Sequence, residues 1–518
     1  MQDKKVLLRI SDLKQYFPLK KKGLFVKAND GISIDIYEGE TFGLVGESGC
    51  GKSTLGRTLL QLYHQTDGRT MYYGRTLDEM APRYVRDTIR SLDKRRNRLH
   101  ELERRRDHAK AAFEAIKEDG PEKYAKQNEL KKAEKEANDA FLDIAKLVGG
   151  FLMVEDLRPV MHIFMERHNL SKERRDAEFK LRQSKLKLDD LAYDVHRAQE
   201  QKGASPDYKQ AQLEAARAKI AADEAKIEAI KTKLEGIMAR IEEMRKPYLD
   251  DPEFRRLEEY QDDGVDLARL VYSEMRLLRS DLQLIFQDPY SSLNPRMTVG
   301  QIIGEGLLSH NYFNRNDDRM KDYILKVMEQ CGLAGYFLHR FPHQFSGGQR
   351  QRIGIARALA VKPKFVVCDE AVSALEVSIQ SQIINLLQDL REQEHLTYLF
   401  ITHDLSVVKY ISDRIGVMYL GTMVELADSA EIFRNPVHPY TDALMRAIPT
   451  TDVDGNKNLA ILEGDIPSPV NPPKGCKFHT RCQYCTDICK QVVPEWTEIA
   501  PNHFVACHHK LTHPEAAQ

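Results

Sequence analysis

The stretch TFGLVGESGCGKST, residues 41–54, constrains this chain more than any other part of it. An apolar run ends in a loop carrying Gly46, Gly51, Lys52 and Ser53 in the pattern GxxxxGK[ST], and the helical text LGRTLLQLYH follows. In that loop glycines let backbone amides curl around a polyphosphate, Lys52 reaches the terminal phosphates and the Ser53 hydroxyl coordinates Mg²⁺. The runs LQLIFQ, KFVVCDE and TYLFITHD alternate with helical stretches and polar turns, which predicts an α/β fold with buried, largely parallel strands.

The run FVVCDE, residues 365–370, supplies the partner such a loop needs. Four mainly apolar strand residues lead to Asp369, placed to hold Mg²⁺ through water, and to Glu370, placed to orient or polarise an attacking water. Alone, an apolar run ending in two acids is a common strand edge, and its value comes from the company it keeps.

Composition changes near residue 83 and again near residue 265, and the block between is rich in Lys, Arg, Glu and Ala. This predicts long solvated helices. Leu213, Ile220, Ile227, Leu234 and Ile241 recur every seven residues, with Ala216, Ile230, Ile237 and Met244 three residues after four of them and only Asp223 interrupting that second row. Upstream, Leu181, Leu188 and Val195 repeat in the same way beside Ser184, Leu191 and Ala198, and KGASPD, residues 202–207, offers a turn. The pattern predicts an antiparallel coiled-coil hairpin over 171–247. An ordinary helical bundle is the alternative, with GGFLMVEDLRPVMHIFM, residues 149–165, as a small apolar cluster at the base. The run KRRNRLHELERRR, residues 94–106, is expected to be a solvated helix face, since acids and histidine interleave with its arginines.

With 77 basic against 78 acidic residues there is no global electrostatic case for a nucleic-acid partner. No apolar segment of 18 residues occurs and the N-terminal text lacks a secretory pattern, so a cytoplasmic chain without its own membrane span is expected. In a reducing compartment clustered cysteines are metal or redox ligands more often than disulfides. Cys476, Cys482, Cys485, Cys489 and Cys507 crowd the C-terminal stretch, with His479, His503, His508 and His509 nearby. The CxxC of Cys482 and Cys485 suits zinc, yet spacing leaves zinc and iron–sulfur both open.

Five motifs in order resemble the ATP-binding-cassette (ABC) ATPases: the phosphate loop, Gln287 in LIFQDP, FSGGQRQR at 345–352, Asp369–Glu370 with SALE at 373–376, and His403 in FITHDL. FQDPYSSLNPRMTV, DEAVSALEVSIQSQ and NPVHPYTDAL further resemble the ATPase subunits of oligopeptide and dipeptide importers, with ESGCGKST and AVSALEVSIQ closer to the F-type than the D-type subunit. The resemblance implies a nucleotide-binding domain at 1–82 and 266–434 and an importer-type C-terminal region at 435–518, and leaves the helical insertion at 83–265 outside it.

By matching position it also implies roles. Gly46, Ser48, Gly49, Cys50, Gly51, Lys52, Ser53 and Thr54 would bind the phosphates, and Ser53, Gln287 and Asp369 would surround Mg²⁺. Glu370, His403 and Gln287 would be catalytic. Ser346, Gly347, Gly348 and Gln349 would serve the nucleotide of a second ATPase subunit, a D-type chain, closed head to tail against this one. Tyr16 or Phe17, with Phe17 favoured, would stack on adenine. Cys476, Cys482, Cys489 and Cys507 would hold a [4Fe-4S] cluster, zinc being the alternative, and Cys485 would be spare. That tail, remote in sequence from the hydrolytic residues, is expected to be a folding clip or sensor with no catalytic task. Two transmembrane permease subunits, an extracytoplasmic peptide-binding protein and a peripheral place on the cytoplasmic membrane face follow from the same resemblance.

Two positions depart from the family pattern: Glu376 stands where Asp is usual, and Ala371 replaces a common Pro. Chromosome-maintenance and break-repair ATPases also thread coiled coil through such a head, but between the glutamine and FSGGQ motifs. Here the excursion lies between Lys52 and Gln287.

Overall fold

The computed structural model describes residues 4–117, 120–202, 207–314, 318–447 and 464–511. The chain divides into two compact units, one of residues 1–74, 266–268 and 275–518, the other of 75–265 and 269–274.

Five parallel strands form the centre of the first unit, in the order Arg414–Tyr419, Thr41–Val45, Thr397–Ile401, Phe365–Asp369 and Leu282–Ile285. Thr41–Val45, Phe365–Asp369 and Thr397–Ile401 are buried along their whole length, which is why they appear in sequence as continuous apolar runs rather than alternations. Gly43 and Gly56 bring the helix Lys52–Leu59 and its neighbours close, since a Cβ on Gly56 would stand 2.7 Å from Val367 and 2.9 Å from Ile401.

Two additions flank that centre. An antiparallel sheet contains Val6–Pro18, Phe25–Tyr37 and Asp67–Thr76, with Ile10 opposite Ile34 and Thr70. At the other end Thr422–Asp428 turns back on Arg414–Tyr419, and the cysteine-rich tail continues the same sheet through His503–Val505 and Thr497–Ala500. The tail is thus built into the sheet of the first unit, Glu425 pairing with Val505 and Leu426 with Phe504.

The second unit is helical, with Leu92–Glu114 and Pro121–Val148 joined to a longer pair, Arg158–Lys202 and Asp207–Arg245. Ser184–Asp223, Lys185–Glu224, Glu173–Lys226 and Glu166–Arg240 contacts run in opposite order along that pair, so its helices are antiparallel. Ile220, Ile227, Ile230, Leu234, Ile237 and Ile241 are buried, as their spacing predicts. The first of the two helices starts at Arg158, well upstream of the expected 171, because Val160, Ile163 and Phe164 carry the helical apolar pattern back to Pro159. The turn expected at 202–207 falls largely on 203–206, outside the described residues, as does the side chain of Ala198.

The stretch at 149–165 is more than a small base cluster. Phe151 meets Phe164 and Phe254 edge-on, with ring centroids 6.0 and 5.6 Å apart, inside a core that also takes Ile89, Leu92, Leu99, Ile144 and Ile241 from four helices. The basic run 94–106 lies on one helix, Leu99 and Leu102 inward and Arg98 and Arg105 paired with Glu101 at the surface.

Candidate functional site

Four motifs of the first unit lie at the carboxyl edges of parallel strands: the glycine loop after Thr41–Val45, Gln287 after Leu282–Ile285, Asp369 and Glu370 at the end of Phe365–Asp369, His403 after Thr397–Ile401. Crevices at the carboxyl ends of open parallel sheets are where ligands bind in such folds.

The loop is shaped by its glycines. Gly46, Gly49 and Gly51 have φ of 149°, 79° and 102°, and a Cβ would stand 2.2 Å from Met418 O at Gly46 and 2.1 Å from Ala28 O at Gly51. Lys52, buried, donates from Nζ to the carbonyls of Gly46 and Glu47 at 2.8 and 3.0 Å, which keeps its charge inside the curl. Ser53 and Thr54 open the helix Lys52–Leu59, whose amide end faces the loop, while Ser48 and Gly49 are exposed at its rim. Cys50 is packed beneath, its thiol pushed up by burial and its carbonyl accepting from Gly421 N at 2.9 Å. Asn29 donates from Nδ2 to Gly51 O at 3.0 Å.

Asp369 is fully buried, and one of its oxygens accepts from Arg57 at 3.1 Å. Its Oδ1 is buried with no hydrogen-bond partner among the described residues. A buried carboxylate oxygen left bare costs several kcal/mol unless a cation or water satisfies it, so the residues fit a hydrated Mg²⁺ beside Ser53.

Glu370 has a φ of +49°, uncommon for a residue with a side chain, and its N–H is held by Ile401 O at 2.9 Å. This turn aims the carboxylate outward. Gln287 Nε2 donates to its Oε2 at 2.7 Å, Ser373 Oγ lies 3.5 Å from the same oxygen, and His403 Nδ1 lies 3.5 Å from Oε1. Three residues from three loops thus converge on one carboxylate that is itself only 16% exposed.

The aromatic pair at 16 and 17 divides. The Tyr16 hydroxyl donates to Asp30, and burial beside that carboxylate holds its proton well above the usual phenol range. Phe17 meets Tyr63 edge-on at 5.2 Å and keeps a partly exposed ring. Ser346 caps the helix Gly347–Leu359, its Oγ accepting from Gln349 N and its N–H donating to the Gln349 side chain, so Gly347, exposed, and Gly348, buried, lie at an amide-rich terminus. Glu376 stands at the start of the helix Val377–Glu394 without capping it through its side chain, and Ala371 is buried.

Two family models match the chain: ABC transporter, over residues 29–151 and 255–373, and oligopeptide/dipeptide transporter, C-terminal region, over 424–489. Among curated relatives, the oligopeptide transport ATP-binding protein AppF of Bacillus subtilis is 51% identical over 248 residues, 47% of this chain and 75% of that protein. The oligopeptide transport ATP-binding protein OppF of Salmonella typhimurium is 53% identical over 249 residues, 47% and 73% of the two chains. A putative peptide import ATP-binding protein of Brucella abortus is 52% identical over 245 residues, 47% and 77%. This chain belongs to the ABC transporter ATP-binding family.

The tail of this ABC protein is far in sequence from the phosphate loop yet lies against it: Arg481 pairs with Glu47 through both nitrogens, at 2.7 and 3.1 Å. Lys477 reaches Asp30 at 3.0 Å, and Tyr440 Oη accepts from Glu47 N at 2.9 Å. Arg481, Lys477, Asp30, Asn29 and Arg57 were invisible to motif reasoning because none falls at a motif position.

Around them the thiols gather. Burial pushes Cys476 up to about 12 and Cys507 to about 11, and Cys476 is further raised by neighbouring Cys507, Cys489 and Cys482. Cys489 O accepts from Cys476 N at 2.8 Å, and Cys507 Sγ accepts from His509 N at 3.3 Å. Among the described residues no three His, Cys, Asp or Glu converge tightly enough to hold a metal ion as they stand. No helix there is long and apolar enough to cross a membrane.

Proposed function

We propose that this chain is the ATP-hydrolysing subunit of a peptide importer, lodged on the cytoplasmic membrane face against two permease subunits fed by an extracytoplasmic peptide-binding protein. The relatives named for oligopeptide transport and the matched importer C-terminal region support the substrate class. The convergence of Gln287, His403 and Ser373 on Glu370 carries the hydrolytic reading.

In this reading the loop 46–54 cradles the phosphates and Lys52 turns its ammonium from Gly46 and Glu47 to the terminal ones. Phe17 stacks on adenine, since Tyr16 is engaged with Asp30. Ser53, Gln287 and the buried Oδ1 of Asp369 would hold Mg²⁺, which would supply positive charge against the phosphates. Glu370 orients the attacking water and accepts its proton, and His403 holds the γ-phosphate. Ser346, Gly347, Gly348 and Gln349 present their amide-rich terminus to the nucleotide of a D-type partner ATPase. The long helices act as a coiled-coil arm toward the partner ATPase or a regulator.

We assign Cys476, Cys482, Cys489 and Cys507 to a [4Fe-4S] cluster. Their mutual proximity supports it, and the four thiolates would hold the cluster on the tail. Held by these four cysteines, such a cluster would serve as a folding clip for the tail.

Purified together with its permeases and partner ATPase in vesicles, the chain is expected to take up peptide only with ATP. ATP turnover stimulated by DNA, without association with membrane subunits, would overturn the reading.

A further inference from the structure

Glu47 sits inside the phosphate loop and all three of its polar groups are held. Its N–H donates to Tyr440 Oη at 2.9 Å, its carbonyl accepts from Lys52 Nζ at 3.0 Å, and its carboxylate takes the Arg481 guanidinium through two bonds. Arg481 is itself locked: its side chain is 4% exposed, and its guanidinium lies 5.9 Å from the Tyr419 ring centroid. A planar fork held on both edges fixes direction as well as distance, which a lysine would not.

A second tie runs parallel. Lys477 donates to Asp30 Oδ2 at 3.0 Å and to Leu420 O at 3.2 Å, and Asp30 also accepts from the Tyr16 hydroxyl, next to Phe17. Asn29, preceding Asp30, holds Gly51 O at 3.0 Å. Residues 477 and 481 therefore grip the site at two places, the phosphate loop and the aromatic strand. Cysteines flank them on both sides, Cys476 being bonded directly to Lys477 and Cys482 directly to Arg481.

We propose that Arg481 is a positioning residue for nucleotide binding: the cysteine-rich tail sets the phosphate loop through the Arg481–Glu47 pair, with Lys477–Asp30 bracing the adenine side. This deepens the ATPase reading and rests on it. Glu47 transmits the grip because the carbonyl that holds Lys52 and the carboxylate that holds Arg481 belong to one residue. Freed of Arg481, Glu47 would let Lys52 and the loop amides sample positions displaced from the phosphates. Binding then falls more than the chemical step, because Glu370, Gln287 and His403 are anchored elsewhere in the sheet.

The test measures binding of a fluorescent ATP analogue and steady-state ATP turnover in the full-length chain assembled with its partners. Arg481→Met is expected to weaken nucleotide binding and raise KM for ATP by roughly ten- to a hundredfold, the range of typical coupling between sites, with kcat changed far less. Glu47→Gln should do the same, and Arg481→Met with Glu47→Gln together should cost no more than either alone. Arg481→Lys should recover part of the affinity. If Arg481→Met does not fold, Glu47→Gln and Arg481→Lys carry the same expectation. Lys490→Met, on the exposed helix of the same tail, should bind ATP as wild type does.

Wild-type affinity in folded Arg481→Met, or additive losses in the double variant, would overturn the positioning role. Failure of the wild type to bind ATP, or undiminished binding in Lys52→Ala, would instead overturn the ATPase reading beneath it.

Discussion

Gln287 donates its amide to Glu370 Oε2 at 2.7 Å, across 83 residues of chain, and so fixes a carboxylate whose backbone already stands at a φ of +49°. The two together decide where the carboxylate points. Glu370→Gln in the assembled transporter is expected to bind ATP normally while hydrolysing it at least about a hundredfold more slowly, as expected for loss of a general base. Gln287→Ala, removing one contact to the base and a Mg²⁺ ligand of the proposed reading, should cost about tenfold in kcat and weaken Mg²⁺-dependent nucleotide binding as well. Single-turnover hydrolysis beside analogue binding separates the two, and normal turnover in Glu370→Gln would remove that residue from catalysis.

Asp223 interrupts an otherwise apolar row, and Ser184 donates to it at 3.1 Å from the facing helix. The two polar interruptions of the two patterns are therefore one contact, which can set the register of the pair. Ser184→Ala should lower the stability of the helical unit by about 1 kcal/mol, whereas Ser184→Ala with Asp223→Leu should recover or exceed it. Thermal unfolding of both variants checks the sign, and equal losses would show that the contact sets nothing.

His438 is buried, its Nδ1 accepts from Tyr440 N at 3.0 Å, and burial holds its imidazole down at about 4 against an ordinary 6.5. Folded, it binds fewer protons than unfolded between those values. The neutral ring thus contributes stability above about 6.5 that is lost as pH falls toward 4, on the order of 3 kcal/mol. His438→Asn keeps an acceptor for Tyr440 N but cannot titrate there. The stability difference between wild type and variant should shrink or reverse by that amount on going from pH 7 to pH 4, with other groups cancelling, and a pH-independent difference would refute it.

Cys485 is the least buried of the tail thiols by its surroundings and contacts the carbonyl of Thr486, while Cys476 is the one raised by three others. Chain purified without oxygen should be brown, with iron and sulfide lost in Cys476→Ser and retained in Cys485→Ser. Stoichiometric zinc without iron would replace the cluster by the zinc reading.

Motifs whose meaning is local were legible in the sequence. Gly46, Gly51 and Lys52 announce the loop because a backbone curl needs glycine at set spacing, and FVVCDE announces a buried strand because both faces are covered. Ile227, Leu234 and Ile241 announce a buried helical face because burial repeats with the helix. The same local logic misplaced the start of the long helix, since the apolar residues at 160–164 serve helix and core at once.

Pairings between distant residues had no such trace. Glu47 and Arg481 are 434 positions apart and Asp30 and Lys477 447 apart, and a charged residue carries no periodic mark naming its partner. Hydrogen-bonding the tail strand His503–Val505 onto Thr422–Asp428 is what carries the cysteines to the nucleotide loop. Sequence alone thus determined the chemistry available at each motif, through local backbone geometry and burial period. Which motif meets which side chain was decided only by the order of strands in the sheet, because that order sets which carboxyl ends and loops become neighbours.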